Sequence, residues 1–181
     1  MTFRVTASLG LALCAASQCA YCVDSVSVQV GTGNYVDVAG IGLGSADWKR
    51  WPISQRWSLS VYGTAGLACW RGNADAPNNN LVDLSAAPVA RFEYGGDGSL
   101  LPYIEASIGV HLLSRNQLNE RRDFGTAFQF GEFLSAGVSL GSRHQFDIGL
   151  QVQHVSNGGI KNPNDGLTYG TLVIRYRLPQ R

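Results

Sequence analysis

The even positions from His144 onward read His144, Phe146, Ile148, Leu150, Val152, His154 and Ser156, while the odd positions carry Gln145, Asp147, Gly149, Gln151, Gln153 and Val155. Successive side chains of a strand point to opposite faces, so this run has one apolar and one polar face. The same period of two recurs along the chain. Val82, Leu84, Ala86, Pro88, Ala90, Phe92 and Tyr94 oppose Asp83, Ser85, Arg91 and Glu93, and Ile104, Ala106, Ile108, Val110 and Leu112 oppose Tyr103, Glu105, Ser107 and His111. Phe128, Phe130, Leu134, Ala136, Val138 and Leu140 oppose Gln129, Ser135 and Ser139, and Leu172, Ile174, Tyr176 and Leu178 oppose Thr171, Arg175 and Arg177. Strand-like runs are predicted at about 25–32, 35–44, 57–71, 81–94, 101–114, 126–140, 144–157 and 167–178, separated by turn-forming residues such as Gly95-Gly96-Asp97-Gly98 and Gly141-Ser142-Arg143. No segment sustains a 3.6-residue apolar period, and Trp48 to Pro52 is expected to hold a turn of helix at most.

Alternation alone fits both a soluble barrel with its apolar set inside and a membrane barrel with that set outside. Three features favour the second. The polar face carries Arg91, Glu105 and Arg175, several runs reach the length of tilted spanning strands, and Trp48, Trp51, Trp57, Trp70, Tyr94 and Tyr176 fall near run ends as an interfacial girdle would. The expected fold is therefore an all-β, eight-stranded, antiparallel up-and-down transmembrane barrel, a size whose interior is filled by side chains. Against it, the chain closes on Arg177-Leu178-Pro179-Gln180-Arg181, with Tyr176 as the nearest substitute for a terminal aromatic residue.

Residues 1–22 read as an export signal, with Arg4 ahead of the small apolar residues Val5 to Ala16, which leaves 23–181 as one domain. Cys14, Cys19 and Cys22 would depart with the signal, so Cys69 alone would remain and no internal disulfide is expected. The 14 basic and 13 acidic residues nearly balance, which gives no electrostatic reason to expect a nucleic-acid partner. Three histidines without clustered carboxylates point away from a metal site, and no cofactor is expected.

The apolar face of the 144–157 run ends in His154 and Ser156, two residues apart and hence on one side of the strand. A serine needs a base to become a nucleophile, and imidazole is the usual one. The segment Asn157-Gly158-Gly159-Ile160-Lys161-Asn162-Pro163-Asn164-Asp165-Gly166 that follows tolerates unusual backbone angles and can present N–H groups to an oxyanion. A strand end followed by an ordinary turn fits the same residues. Among the acids near His154, Glu132 is placed by counting from the turn at Gly141 opposite Val152, diagonal to His154, while Thr168 shares the face of His154 and Asp165 lies in the loop. His111 reads as an interior hydrogen-bonding residue and His144 as solvated. Lys49, Arg50, Arg115, Arg121, Arg122 and Lys161 are candidates for phosphate contacts where they fall on the outer side.

The segment from His154 to Gly166 closely resembles the signature of the outer-membrane lipid A 3-O-deacylases (PagL-type), and the similarity extends to Ala87-Pro88-Val89, to Ile104-Glu105-Ala106-Ser107-Ile108-Gly109-Val110 and to Tyr176-Arg177-Leu178-Pro179. The resemblance implies a Gram-negative outer-membrane serine esterase that removes the primary 3-O acyl chain of lipid A. It also implies Ser156 as nucleophile, His154 as base, and Asn157, Gly159 and Asn164 around the oxyanion. Some members of that family complete a triad with a glutamate early in the last strand, where this chain has Thr168. Glu132 is then the first choice for a third member, with Thr168 and Asp165 as alternatives. The implied partners are lipopolysaccharide and membrane lipid, and a homodimer is left open. A phospholipase-like barrel hydrolase and a non-enzymatic structural or adhesive barrel remain the rival readings.

Overall fold

The computed structural model describes residues 23–72 and 80–179; the expected export signal lies outside the described residues. Eight long strands form the wall: β1 (Val23–Gly33), β2 (Val36–Ser45), β4 (Trp57–Gly72), β5 (Asn80–Tyr94), β6 (Leu100–Leu113), β9 (Phe128–Leu140), β10 (Phe146–Ser156) and β11 (Leu167–Arg177). All pair antiparallel, and β1 closes on β11 from Ser25↔Arg177 to Gly33↔Tyr169. The expected eight-stranded barrel is thus the observed one, with no unpaired sheet edge in its wall. Among the described residues no helix is long and apolar enough to cross a membrane.

The described residues also form three short strands. The segment read as a turn of helix is instead β3 (Lys49–Pro52), which pairs with Ser58–Val61 of β4. β4 is sixteen residues long and outruns β2, so β3 takes over the pairing that its lower part would otherwise lack. β7 (Gln117–Asn119) and β8 (Arg122–Asp123) form a two-stranded hairpin within the β6–β9 connection, which the sequence pattern left as loop.

Burial resolves the ambiguity of the alternation. Ile108 is 72% and Leu150 69% exposed, and Val28, Ile41, Leu84, Ile104, Leu134, Val152 and Ile174 join them on the outer surface. Arg91, Glu105, Asp147 and Gln153 are buried inside. A barrel with paired charges inside and a broad apolar belt outside is solvated by lipid, because water would penalise that surface at roughly 25 cal/mol per Å².

The interior has two halves. At the end holding Val23 and Arg177, Arg91 donates to Glu93 (2.7 Å), Glu105 (2.8 Å), Asp147 (3.0 Å) and Ser139 (2.7 Å). Arg175 reaches Glu105 and Asp147, and Arg177 reaches Glu93 and Asp147, so three cations are matched to three carboxylates. Buried charge is tolerated only when paired and hydrogen-bonded in this way. At the opposite, loop-bearing end the interior is an apolar plug of Trp70, Phe124, Leu118, Leu167, Val155 and Tyr169, with the Trp70 ring 5.9 Å from Phe124 and 5.5 Å from Tyr169. Trp70 therefore belongs to the core and not to the expected aromatic girdle: it is an inward residue of β4 by parity. Trp48, Trp51 and Trp57 do lie on the outer surface, Trp57 stacked on Phe92 at 4.6 Å. Between the halves, His111 is an interior residue as expected, bonded through Nδ1 to Asp83 (2.8 Å) and through Nε2 to Gln153 (2.9 Å).

Candidate active site

β10 carries His154 and Ser156 to the loop-bearing rim. Both share the parity of Leu150 and Val152, so they lie on the outer surface, each half-buried by what surrounds it. His154 stands between two polar neighbours in one row across the sheet. Thr168 of β11 is its partner on one side and Glu132 of β9 on the other. The Glu132 placement corrects the expectation of a diagonal relation through Val152, whose partner is Leu134. The β9–β10 turn spans the five residues Gly141 to Gln145, two more than the expected turn of Gly141-Ser142-Arg143, since Phe146 pairs with Leu140.

The imidazole is held from two sides. Its Nδ1 lies 2.8 Å from the hydroxyl of Thr168. Its Cε1–Nε2 edge rests against Gly166, where an added Cβ would sit 3.1 Å from Cε1 and 3.4 Å from Nε2. Gly166 also has φ +54°, so both backbone angle and space call for glycine. Nε2 has no hydrogen-bond partner among the described residues. Ser156 Oγ has no hydrogen-bond partner among the described residues, and neither does the exposed carboxylate of Glu132. Asp165 is committed elsewhere: its Oδ2 accepts from the Asp123 N–H at 2.7 Å.

The loop after Ser156 is built around the fully buried Asn157. Its Nδ2 donates to the carbonyls of Phe124 (2.8 Å) and Lys161 (2.6 Å), and its Oδ1 accepts from the Gly159 N–H at 2.8 Å. Its own backbone N–H donates to Asn164 Oδ1 at 3.0 Å. Gly158 and Gly159 take φ +64° and +82° beneath the Ile160 N–H to Asn157 carbonyl bond, a turn that needs positive φ at both central residues. Thus the N–H groups of Asn157 and Gly159 are both occupied. The Gly158 N–H and the Asn164 side-chain amide have no partner among the described residues.

The basic residues singled out from sequence separate by topology. Lys49 and Arg50 lie at the end that holds Val23 and Arg177, away from His154. Arg115 and Lys161 line a polar cleft of about 1020 Å³ at the loop-bearing end, between the β6–β9 connection and the loop after β10. Arg122 is directed onto backbone carbonyls, with Nη1 on Gly166 and Asp165 and Nη2 on Asn34. Sequence reasoning did not single out Phe124 or Gly125, although both touch the site loop. Gly125, at φ +70°, packs against the Pro163 carbonyl and leaves no room for a Cβ. The Arg-Asp-Phe-Gly run at 122–125, a charged pair beside a lone aromatic residue and a glycine, was the available signal.

Comparison with known proteins places the chain in a family. Residues 37–177 match the family model described as "Lipid A 3-O-deacylase (PagL)". The chain is 34% identical over 156 residues to the lipid A deacylase PagL of Pseudomonas aeruginosa, covering 85% of each chain. It is 29% identical over 165 residues to the protein of that name from Bordetella bronchiseptica, covering 91% of this chain and 89% of that one. Its fold superposes on the crystal structure of the outer membrane enzyme PagL with a TM-score of 0.74 and 30% identity, over 85% of this chain and 99% of that one. With the family model matched along most of the barrel and the relatives covered nearly end to end, the chain belongs to the lipid A 3-O-deacylase family.

Proposed function

We propose that this barrel is a cofactor-independent serine esterase of a Gram-negative outer membrane that hydrolyses the acyl ester at the 3-position of lipid A. The observation that carries the reading is the lipid-facing imidazole, anchored through Nδ1 at 2.8 Å to Thr168 with Nε2 free, two residues from an uncommitted serine on the same face. A catalytic pair is useless against soluble esters when it points into a bilayer. It is well placed for an ester at the boundary between acyl chains and headgroup.

In this mechanism Nε2 of His154 takes the Ser156 proton as Oγ attacks the ester carbonyl. The tetrahedral oxyanion collapses and expels the sugar 3-oxygen, which leaves with the proton from Nε2. Water then attacks the acyl-enzyme, His154 accepts its proton and returns it to Ser156 Oγ as the C–Oγ bond breaks, and the fatty acid departs. Nδ1–H donates to Thr168 Oγ1 throughout, which leaves Nε2 as the basic nitrogen. Thr168 thereby orients the ring, and the Glu132 carboxylate, on the other side in the same row, supplies charge that favours the imidazolium without a direct bond. Asp165 takes no part.

The oxyanion roles shift within the loop. Uncommitted donors in the loop that follows Ser156 include the Gly158 N–H and the Asn164 amide, which would take the oxyanion; Asn157 and the Gly159 N–H shape the turn that carries them. Ser156→Ala and His154→Asn should each yield a folded, heat-modifiable barrel that leaves lipid A fully acylated by mass spectrometry. Release of the 3-O chain at the wild-type rate by either variant would sink the mechanism. Loss of fatty acid from phospholipid, with lipid A intact, would establish the phospholipase-like rival.

A further inference from the structure

The β6–β9 connection does more than cross the barrel mouth. Its Phe124 ring is buried between Trp70 and the rest of the plug, and its Phe124 carbonyl holds the Asn157 side chain. Asp123 and Asp165 exchange two bonds, Asp123 N–H to Asp165 Oδ2 at 2.7 Å and Asp165 N–H to the Asp123 carbonyl at 3.2 Å. On the far side the hairpin rests on the β1–β2 turn, where Arg121 stacks over the Tyr35 ring at 4.7 Å. Arg122 sits at the junction of all three segments. Its guanidinium reaches the carbonyls of Gly166, Asp165 (3.1 Å) and Asn34 (3.3 Å).

We propose that Arg122 is a positioning residue for His154, acting through Gly166: by fixing the Gly166 carbonyl, the guanidinium holds the backbone wall against which the Cε1–Nε2 edge of the imidazole rests. Thr168 holds the ring through Nδ1 alone. Gly166 bounds the opposite edge, where even one added methyl would sit 3.1 Å from Cε1 and 3.4 Å from Nε2, so a shift of this backbone towards the ring would crowd it. Gly166 is a glycine at positive φ, so its own backbone is permissive and needs an external tie. A planar fork with five donors fits a cluster of carbonyls as a lysine point charge does not. The same contacts commit Arg122 to the protein, which sets it apart from Lys161, whose ammonium has no ion-pair partner among the described residues.

The inference rests on the Ser156–His154 reading, and Ser156→Ala measured alongside separates the two. The full chain, purified in detergent micelles, is assayed for steady-state release of the 3-O acyl chain from lipid A as wild type, Arg122→Met, Arg122→Lys, Gly166→Ala and the Arg122→Met/Gly166→Ala double variant. Arg122→Met is expected to lower kcat by about 5–10-fold, the loss of roughly one net hydrogen bond's worth of transition-state positioning, with KM changed less than about two-fold. Arg122→Lys should fall between Met and wild type, and it serves in place of Met if that variant fails to fold. The double variant should be slowed by clearly less than the product of the single effects, since both act on one contact. A rise in KM with unchanged kcat would show that the guanidinium binds substrate phosphate, and fully multiplied effects would show that it does not act through Gly166; either overturns the proposal. An inactive Ser156→Ala beside a fully active Arg122→Met overturns this inference alone, whereas an active Ser156→Ala overturns the reading beneath it.

Discussion

Thr168→Val is the sharpest perturbation of the proposed chemistry, because it exchanges one hydroxyl for a methyl of nearly the same size on an exposed position. The bond it removes is the 2.8 Å contact to His154 Nδ1. In the resting enzyme this is a neutral bond with a net value of about 0.5–1.5 kcal/mol, and once the ring is protonated it is a bond to a charged group at about 1.5–3 kcal/mol. Only the increment between the two states accelerates the reaction, about 1–1.5 kcal/mol, so kcat should fall about 5–12-fold with KM little changed. Thr168→Glu tests the other direction. A carboxylate at Nδ1 makes a charge-assisted bond roughly twice as strong as a neutral one, so turnover should match or exceed wild type. Acyl release from lipid A in detergent micelles reads both variants, with heat-modifiable mobility as the folding control. Wild-type kcat in Thr168→Val, or a Glu variant slower than the Val variant, would refute the assignment of Thr168 as the orienting group.

Glu132→Gln keeps the shape of the side chain and removes its charge; with about 6 Å between charges across one strand pair and an effective dielectric of about 50, the effect is about 1 kcal/mol, or roughly five-fold in kcat, larger at low salt. An unchanged rate at low salt would strike Glu132 from the mechanism. Leu150→Arg should cost about 2–4 kcal/mol of barrel stability near the bilayer midplane, as read from denaturant titration in vesicles, while Gln151→Ala should show no such depth-dependent penalty. Equal costs at the two positions would contradict the assigned facing. Asn157→Ala strips three hydrogen bonds from the site loop. It should open that loop to limited proteolysis and lower kcat at least ~10-fold, since each buried group left unpaired costs about 1–3 kcal/mol; unaltered protection with unaltered turnover would argue against its scaffolding role.

Much of this molecule was legible along the chain because strand alternation is a local property. The run from Phe146 to Ser156 displays its two faces residue by residue, and lengths with turn residues divide the rest into seven more such runs. His154, Ser156 and Thr168 share one face by parity alone, whatever the register. Parity cannot say which face is outside. That was decided by closure: the wall curves around Arg91, Glu105 and Asp147, whose charges need one another, and leaves Leu150 and Ile108 to lipid. Register was likewise tertiary, since the β9–β10 turn, and not the composition of either strand, sets Glu132 opposite His154. Least visible were contacts between segments far apart in sequence. Asn157 reads as a turn residue, yet its side chain is buried and spent on the Phe124 and Lys161 carbonyls; Trp70 reads as an interfacial aromatic, yet it plugs the barrel. Arg122 reads as loop charge, and only folding brings the carbonyls of Asn34, Asp165 and Gly166 within reach of one guanidinium. Local sequence specifies which way a side chain points along its own strand, whereas what it meets there depends on chain segments that only closure of the barrel brings together.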